Sequence, residues 1–201
     1  MKRLFYSISI LSALFLSSCS TDEVTNRTTT PPTGTIDVYT AGTYIDDQYV
    51  HYAIYNKNNG TNIYLTGGIE ANGIYVEGND VYVAGIGRDS NDNNAAVYWK
   101  NGVEIPVTGF TPSSIKVNGN DVYMVGNSYG ITPNAVVWEN GVVATLPQSY
   151  FANDIALLNN TTYITGKSDN FVDENLASWT NNVVALGENR TEGKAVFVVQ
   201  N

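Results

Sequence analysis

Asp80-Val81-Tyr82-Val83-Ala84-Gly85 recurs as Asp121-Val122-Tyr123-Met124-Val125-Gly126, and this repetition decides how the rest of the chain is read. Looser copies stand at Asp37-Val38-Tyr39-Thr40-Ala41-Gly42 and Thr161-Thr162-Tyr163-Ile164-Thr165-Gly166. The closing glycines, 42, 85, 126 and 166, lie 43, 41 and 40 residues apart. A second motif follows three of the copies: Ala96-Val97-Tyr98-Trp99-Lys100-Asn101-Gly102, Val136-Val137-Trp138-Glu139-Asn140-Gly141 and Ala177-Ser178-Trp179-Thr180-Asn181-Asn182. In the first copy Ala53-Ile54-Tyr55-Asn56 takes that place, with Tyr55 expected to substitute for the tryptophan.

Each repeat reads as four short strands. In the third copy, Ser114 to Val117 alternates polar and apolar residues, Asn118-Gly119-Asn120 turns, and Asp121 to Gly126 returns. Asn and Gly suit such turns because they tolerate the positive φ that tight hairpins need. A longer loop precedes Ala135 to Glu139, and Asn140-Gly141 leads into Val142 to Leu146. A period near 40 made wholly of strands is a propeller signature. The expected fold is therefore all-β, a four-bladed β-propeller of four-stranded antiparallel blades over residues 35–201. The first copy lacks a preceding strand, while Lys194-Ala195-Val196-Phe197-Val198-Val199 is left over at the end. That orphan is expected to join the first blade and close the ring, which removes exposed sheet edges.

The first 19 residues give an address. Lys2 and Arg3 precede an apolar run, Leu4 to Leu16, that is shorter than the roughly 20 residues of a spanning helix. Leu16-Ser17-Ser18-Cys19 resembles the lipobox of bacterial lipoproteins, which implies a signal peptide over 1–18 and acylation of Cys19, the only cysteine. Ser20 differs from the aspartate that resembles an inner-membrane retention signal, so the expected location is the outer membrane, on its periplasmic or surface side. Thr21-Asp22-Glu23 is similar to surface-export signals of some Bacteroidetes lipoproteins. Residues 19–34 are polar, with Pro31-Pro32, and read as a flexible tether with a reach of about 20 Å. The tandem Asp-Val-Tyr-x-x-Gly and Trp-x-Asn-Gly motifs resemble those of bacterial secreted and lipid-anchored β-propellers, most without an assigned role. That resemblance implies the fold and leaves the ligand open.

Charge narrows the partners. The leader holds two of the ten basic residues and none of the nineteen acidic ones, so the processed chain would carry −11. Such a surface repels phosphate backbones and anionic headgroups. No nucleic-acid partner is expected, and membrane attachment is expected through the lipid alone. With the single cysteine acylated, no disulfide is available. A monomer is expected, with two half-rings completing each other as the alternative.

The chemical inventory argues against an enzyme. His51 is the only histidine and has no nucleophile motif beside it. A carboxylate pair drawn from Glu70, Glu77, Glu104, Glu139 and Glu174 would be needed for a glycoside hydrolase, the least favoured reading. The three tryptophans recur at one strand position, which fits packing between blades better than sugar stacking. Binding chemistry concentrates on irregular loops, here those between the second and third strands of each repeat. Their candidate residues are Asp46 and Asp47, then Asp89, Asn91 and Asp92, then Tyr129, and finally Asp169, Asp173 and Glu174. Asp89, Asn91 and Asn93 imitate the start of a Ca²⁺ loop, but Asn94 and Lys100 break the pattern, so no cofactor is expected. The leading functional class is a non-catalytic module binding a glycan, peptide or protein partner. The alternative is a structural subunit of an envelope assembly.

Overall fold

The computed structural model describes residues 36–168, 175–189 and 191–200. The signal, Cys19 and the tether lie outside the described residues, as do Asp169, Asp173 and Glu174 of the fourth loop. The described residues from Ile36 onward form strands and turns without a helix. Four antiparallel sheets follow one another along the chain. Sheet 1 holds β1 (Tyr39–Ile45), β2 (His51–Lys57) and β3 (Ile63–Tyr64). Sheet 2 holds β4 (Gly68–Glu77), β5 (Asp80–Arg88), β6 (Asn94–Lys100) and β7 (Val103–Pro106). Sheet 3 holds β8 (Phe110–Asn118), β9 (Asp121–Ser128), β10 (Ala135–Glu139) and β11 (Val142–Thr145). Sheet 4 holds β12 (Phe151–Leu158), β13 (Thr161–Lys167), β14 (Asn175–Thr180) and β15 (Val183–Asn189).

The two repeated motifs recur because they bond to each other. The Asn of each turn accepts the N–H of the strand motif's second residue: Asn58 from Val38, Asn101 from Val81, Asn140 from Val122 and Asn181 from Thr162. In the first three copies its Nδ2 donates to the motif's Asp, Asp37, Asp80 or Asp121. All four asparagines have positive φ, between 46° and 56°, a backbone that Asn tolerates better than branched residues do. Lys57 and Lys100 complete the first two clamps, pairing with the Asp and lying over Tyr39 and Tyr82.

Successive sheets pack face to face, and the core is the material between them. Ala53 and Leu65 of the first repeat meet Val83, Val97 and Trp99 of sheet 2. Tyr82, Ala84 and Ala96 meet Ile115, Met124 and Trp138 of sheet 3. Val125, Ala135 and Val137 meet Ile155, Ile164 and Trp179 of sheet 4. Trp99 and Trp179 are fully buried and donate Nε1–H to the Thr66 and Pro147 carbonyls, in the segments that lead into their sheets. The tryptophans are therefore packing elements. Register corrects one expectation: Thr40 pairs with Asn56 as Val83 pairs with Trp99, so Asn56, not Tyr55, stands in the tryptophan place. Among the described residues no sheet precedes sheet 1 on that side, and Thr40, Asn56 and Asn62 are hydrogen-bonded in series there.

A second repeat is carried by bulges. The first strands of sheets 2, 3 and 4 share a one-residue slip, at Asn72, Ser113 and Asn153, and that of sheet 2 slips again at Ile69. The extra side chain reaches the next first strand: Asn72 donates to the Pro112 carbonyl, Ser113 to that of Ala152, and Asn153 to that of Gly193. The last step lands on the C-terminal segment. Residues 191–200 form no strand, yet they occupy the place a further first strand would take. Gly193 N–H bonds to the Gly166 carbonyl, Val196 N–H to Asp154 and Asn159 to Gln200. Among the described residues, the hydrogen bonds of this segment go to sheet 4, and none reaches β1. Among the described residues, sheet 1 therefore holds three strands, and 194–199 is not a strand of it.

Candidate functional site

The β1–β2 and β5–β6 loops are built alike. The Asp46 carboxylate accepts N–H groups from Gln48 and Val50, both at 2.9 Å, and Asp46 and Val50 close the loop through their backbones. Asp89 does the same with Asn91 at 2.8 Å and Asn93 at 2.9 Å. Each carboxyl is held below its ordinary value, Asp46 chiefly by the Val50 N–H and Asp89 chiefly by the Asn93 N–H. The fourth residue of each loop takes the left-handed corner, Tyr49 at φ 62° and Asp92 at φ 63°.

Between these loops lies a cleft of about 540 Å³ lined by Tyr49, Val50, His51, Tyr52, Leu65, Gly67, Gly68, Ile69, Arg88 and Asn94. Its volume falls within the roughly 300–1,000 Å³ of small-molecule sites. Gly68 is required at its floor, since a Cβ there would strike Ala53 and Trp99. The Glu104 carboxyl stands behind Gly67, and burial pushes its pKa up. Asp46 and Asp92 do not line the cleft but fix residues that do. Asp46 accepts from the Tyr52 hydroxyl at 3.2 Å, and Asp92 holds the Arg88 guanidinium through its carboxylate at Nε, 3.2 Å, and its main-chain carbonyl at Nη1, 2.9 Å.

The other candidates are placed apart from this cleft or outside the described residues. Asp47 and Asn91 are exposed in the two loops. Tyr129 is exposed in the β9–β10 loop, which Ser128 and Asn134 close by a pair of hydrogen bonds. Asn93 turns its Nδ2 toward Asp89 at 3.4 Å, so in the would-be cation loop it acts as a donor. Among the described residues, no group of three or more His, Cys, Asp or Glu side chains is placed to hold a metal. Sequence reasoning passed over Tyr49, Tyr52 and Arg88. Only Arg88 left a signal, as the one arginine between residues 36 and 189, next to an acidic loop.

The inner strands enclose a second, smaller space. Tyr75, Lys116, Ala156 and Phe197 line a cavity of about 270 Å³, with Lys116 Nζ 5.5 Å from the Tyr75 ring centre. No protein-family model, curated protein or solved structure matches the chain.

Proposed function

We propose that this chain is a lipid-anchored, non-catalytic binding module of the bacterial cell envelope. In this reading it is a monomeric four-bladed β-propeller that offers its long-loop face to a glycan, peptide or protein partner. Cys19 is acylated, the protein sits at the outer membrane, and residues 19–34 hold the domain clear of the bilayer. The ring closes when 194–199 becomes the innermost strand of sheet 1.

The observation that carries the binding role is the cleft between the 46–50 and 89–93 loops, on the end of the sheets where the irregular loops gather. The opposite end carries short Asn- and Gly-rich turns. Propeller geometry is supported by the cavity that inner strands of three sheets and the C-terminal segment share. Closure is supported by Gly42. A Cβ at Gly85, Gly126 or Gly166 would run into the carbonyl of Glu70, Thr111 or Phe151, whereas one at Gly42 meets nothing within 4 Å. The bulge relay aligns Pro112, Ala152 and Gly193. By that alignment, ring closure would bring the Glu192 carbonyl into the space beside Gly42.

Mild cross-linking of the intact protein in its native membrane, followed by mass spectrometry, tests the reading. Cross-links through Asp47, Asn91 or Tyr129 are expected. Cross-links confined to the turns at Asn101-Gly102 and Asn140-Gly141 would instead make it a structural subunit. Loss of lipid labelling in Cys19→Ser is the expected result for the anchor.

A further inference from the structure

We infer that the cleft between the 46–50 and 89–93 loops takes one uncharged sugar residue of a glycan, stacked on Tyr49 and hydrogen-bonded by Arg88 and Asn94. This rests on the long-loop face being the binding face, and it names the ligand class for that face.

Backbone geometry is the first argument. The two loops share one hydrogen-bond pattern, and the left-handed corner is occupied by Asp92 in one and Tyr49 in the other. Asp and Asn accept that corner readily, whereas a bulky residue there costs on the order of 1–3 kcal/mol. The fold alone would favour Asn at residue 49. The tyrosine also exposes 86% of its surface while lining this cleft of about 540 Å³. An aromatic ring held out of the core on a backbone that disfavours it has no packing role to justify it. A flat face offered to solvent is what the C–H face of a pyranose stacks on.

Polar chemistry in the cleft is the second argument. The Asp92 carboxylate and main-chain carbonyl take two of the five N–H donors of Arg88, which orients the guanidinium and leaves three donors for a ligand. Asn94 adds an amide with both donor and acceptor. Planar, prepositioned donors beside an aromatic wall suit vicinal hydroxyls. Leu65 and Ile69 supply an apolar floor.

Charge is the third. The carboxylates of Asp46 and Asp89 lie in the loops on either side of the cleft, and the whole chain carries a net −9. Arg88 is already paired with the exposed Asp92 carboxylate, so a uronate or sialate would have to compete for it within a net acidic field. The ligand class that remains is neutral and rich in hydroxyls.

The test uses the full-length protein in detergent with defined hexasaccharides: β-1,3-glucan, β-1,4-glucan, β-1,4-xylan, α-mannan and chitin, beside hyaluronan and polygalacturonate oligomers. Saturation-transfer NMR and calorimetry are the readouts. At least one neutral hexasaccharide should bind, and none of the acidic ones. Tyr49→Phe should keep affinity within twofold, while Tyr49→Asn should lose at least tenfold. Because Asn suits the corner, Tyr49→Asn should not lower the melting temperature, which separates lost binding from lost folding. Arg88→Gln should weaken binding at least fivefold. Absence of binding by every neutral oligomer, binding of acidic oligomers alone, or full affinity in Tyr49→Asn would each overturn the inference. A peptide or protein cross-linked through this cleft with no sugar bound overturns the sugar and keeps the binding face. Partners found only at the tight-turn end overturn both.

Discussion

Asp46 and Asp89 show how a residue that looks like a ligand can be a fixture. Two N–H groups point at each carboxylate, so ionisation stabilises the closed loop. The folded pKa lies below the ordinary 3.8, so this contribution is complete above that value. It disappears as pH falls through the lowered pKa, because the open chain then binds the proton more readily. NMR should therefore show the Val50 and Asn93 amide protons moving upfield together below pH 3.8, with Asp46→Asn and Asp89→Asn each removing its own transition. Amide movement at neutral pH would contradict this account. The acid-rich loops were legible in the sequence as loops, because short polar residues crowd there. Their roles were not, because a carboxylate that caps its own backbone and one that waits for a ligand have the same composition. Tyr49 was hidden for a similar reason: its φ is set by hydrogen bonds that the residue type does not announce.

The element that repeats most faithfully is the clamp between the Asp-Val-Tyr strand and the Asn of the next turn. Asn140 accepts from Val122 N–H at 2.9 Å, donates to Asp121 at 2.7 Å and has φ 46°. Asn140→Ala gives up both bonds and strains the corner, which should cost about 1–3 kcal/mol. For a domain of this size that lowers the melting temperature by roughly 3–9 °C. Asn140→Gly relieves the backbone but not the bonds, so its loss should be smaller, and thermal unfolding of both variants separates the two causes. An unchanged melting temperature in Asn140→Ala would remove the clamp from the account of stability. Strand order and turns were readable because turn chemistry and alternation agree in each copy. The bulges at Asn72, Ser113 and Asn153 were not, since no single residue type marks them and they extend strands that alternation alone ended too early. The misplacement of Tyr55 came without a bulge: a one-residue register error moves a side chain to the opposite face of its sheet.

At the scale of the whole molecule, the two ends of the row of sheets are complementary. Sheet 1 lacks a first strand, and the C-terminal segment holds a first-strand place without a sheet of its own. Val38 and Val198 correspond to the paired residues Val81 and Val76, Val122 and Val117, and Thr162 and Leu157 of the other sheets. Val38, Phe197 and Val199 are left 54%, 88% and 64% exposed, an apolar surface that strand pairing would cover. If the ring closes, Val38→Cys with Val198→Cys should form a disulfide, because paired strands bring Cα atoms within the roughly 4.4–6.8 Å that the bond spans. Closure within one chain gives a faster-migrating monomer on a non-reducing gel, while exchange between chains gives a dimer. Gly42→Ala provides an independent check without cysteines. In a closed ring its Cβ meets a backbone carbonyl that cannot give way, so it should destabilise as Gly126→Ala does, by about 3 kcal/mol. On an open edge the substitution lies in free space and costs little. A neutral Gly42→Ala together with no disulfide would mean that the four sheets remain an open row, and the closed propeller would have to be abandoned.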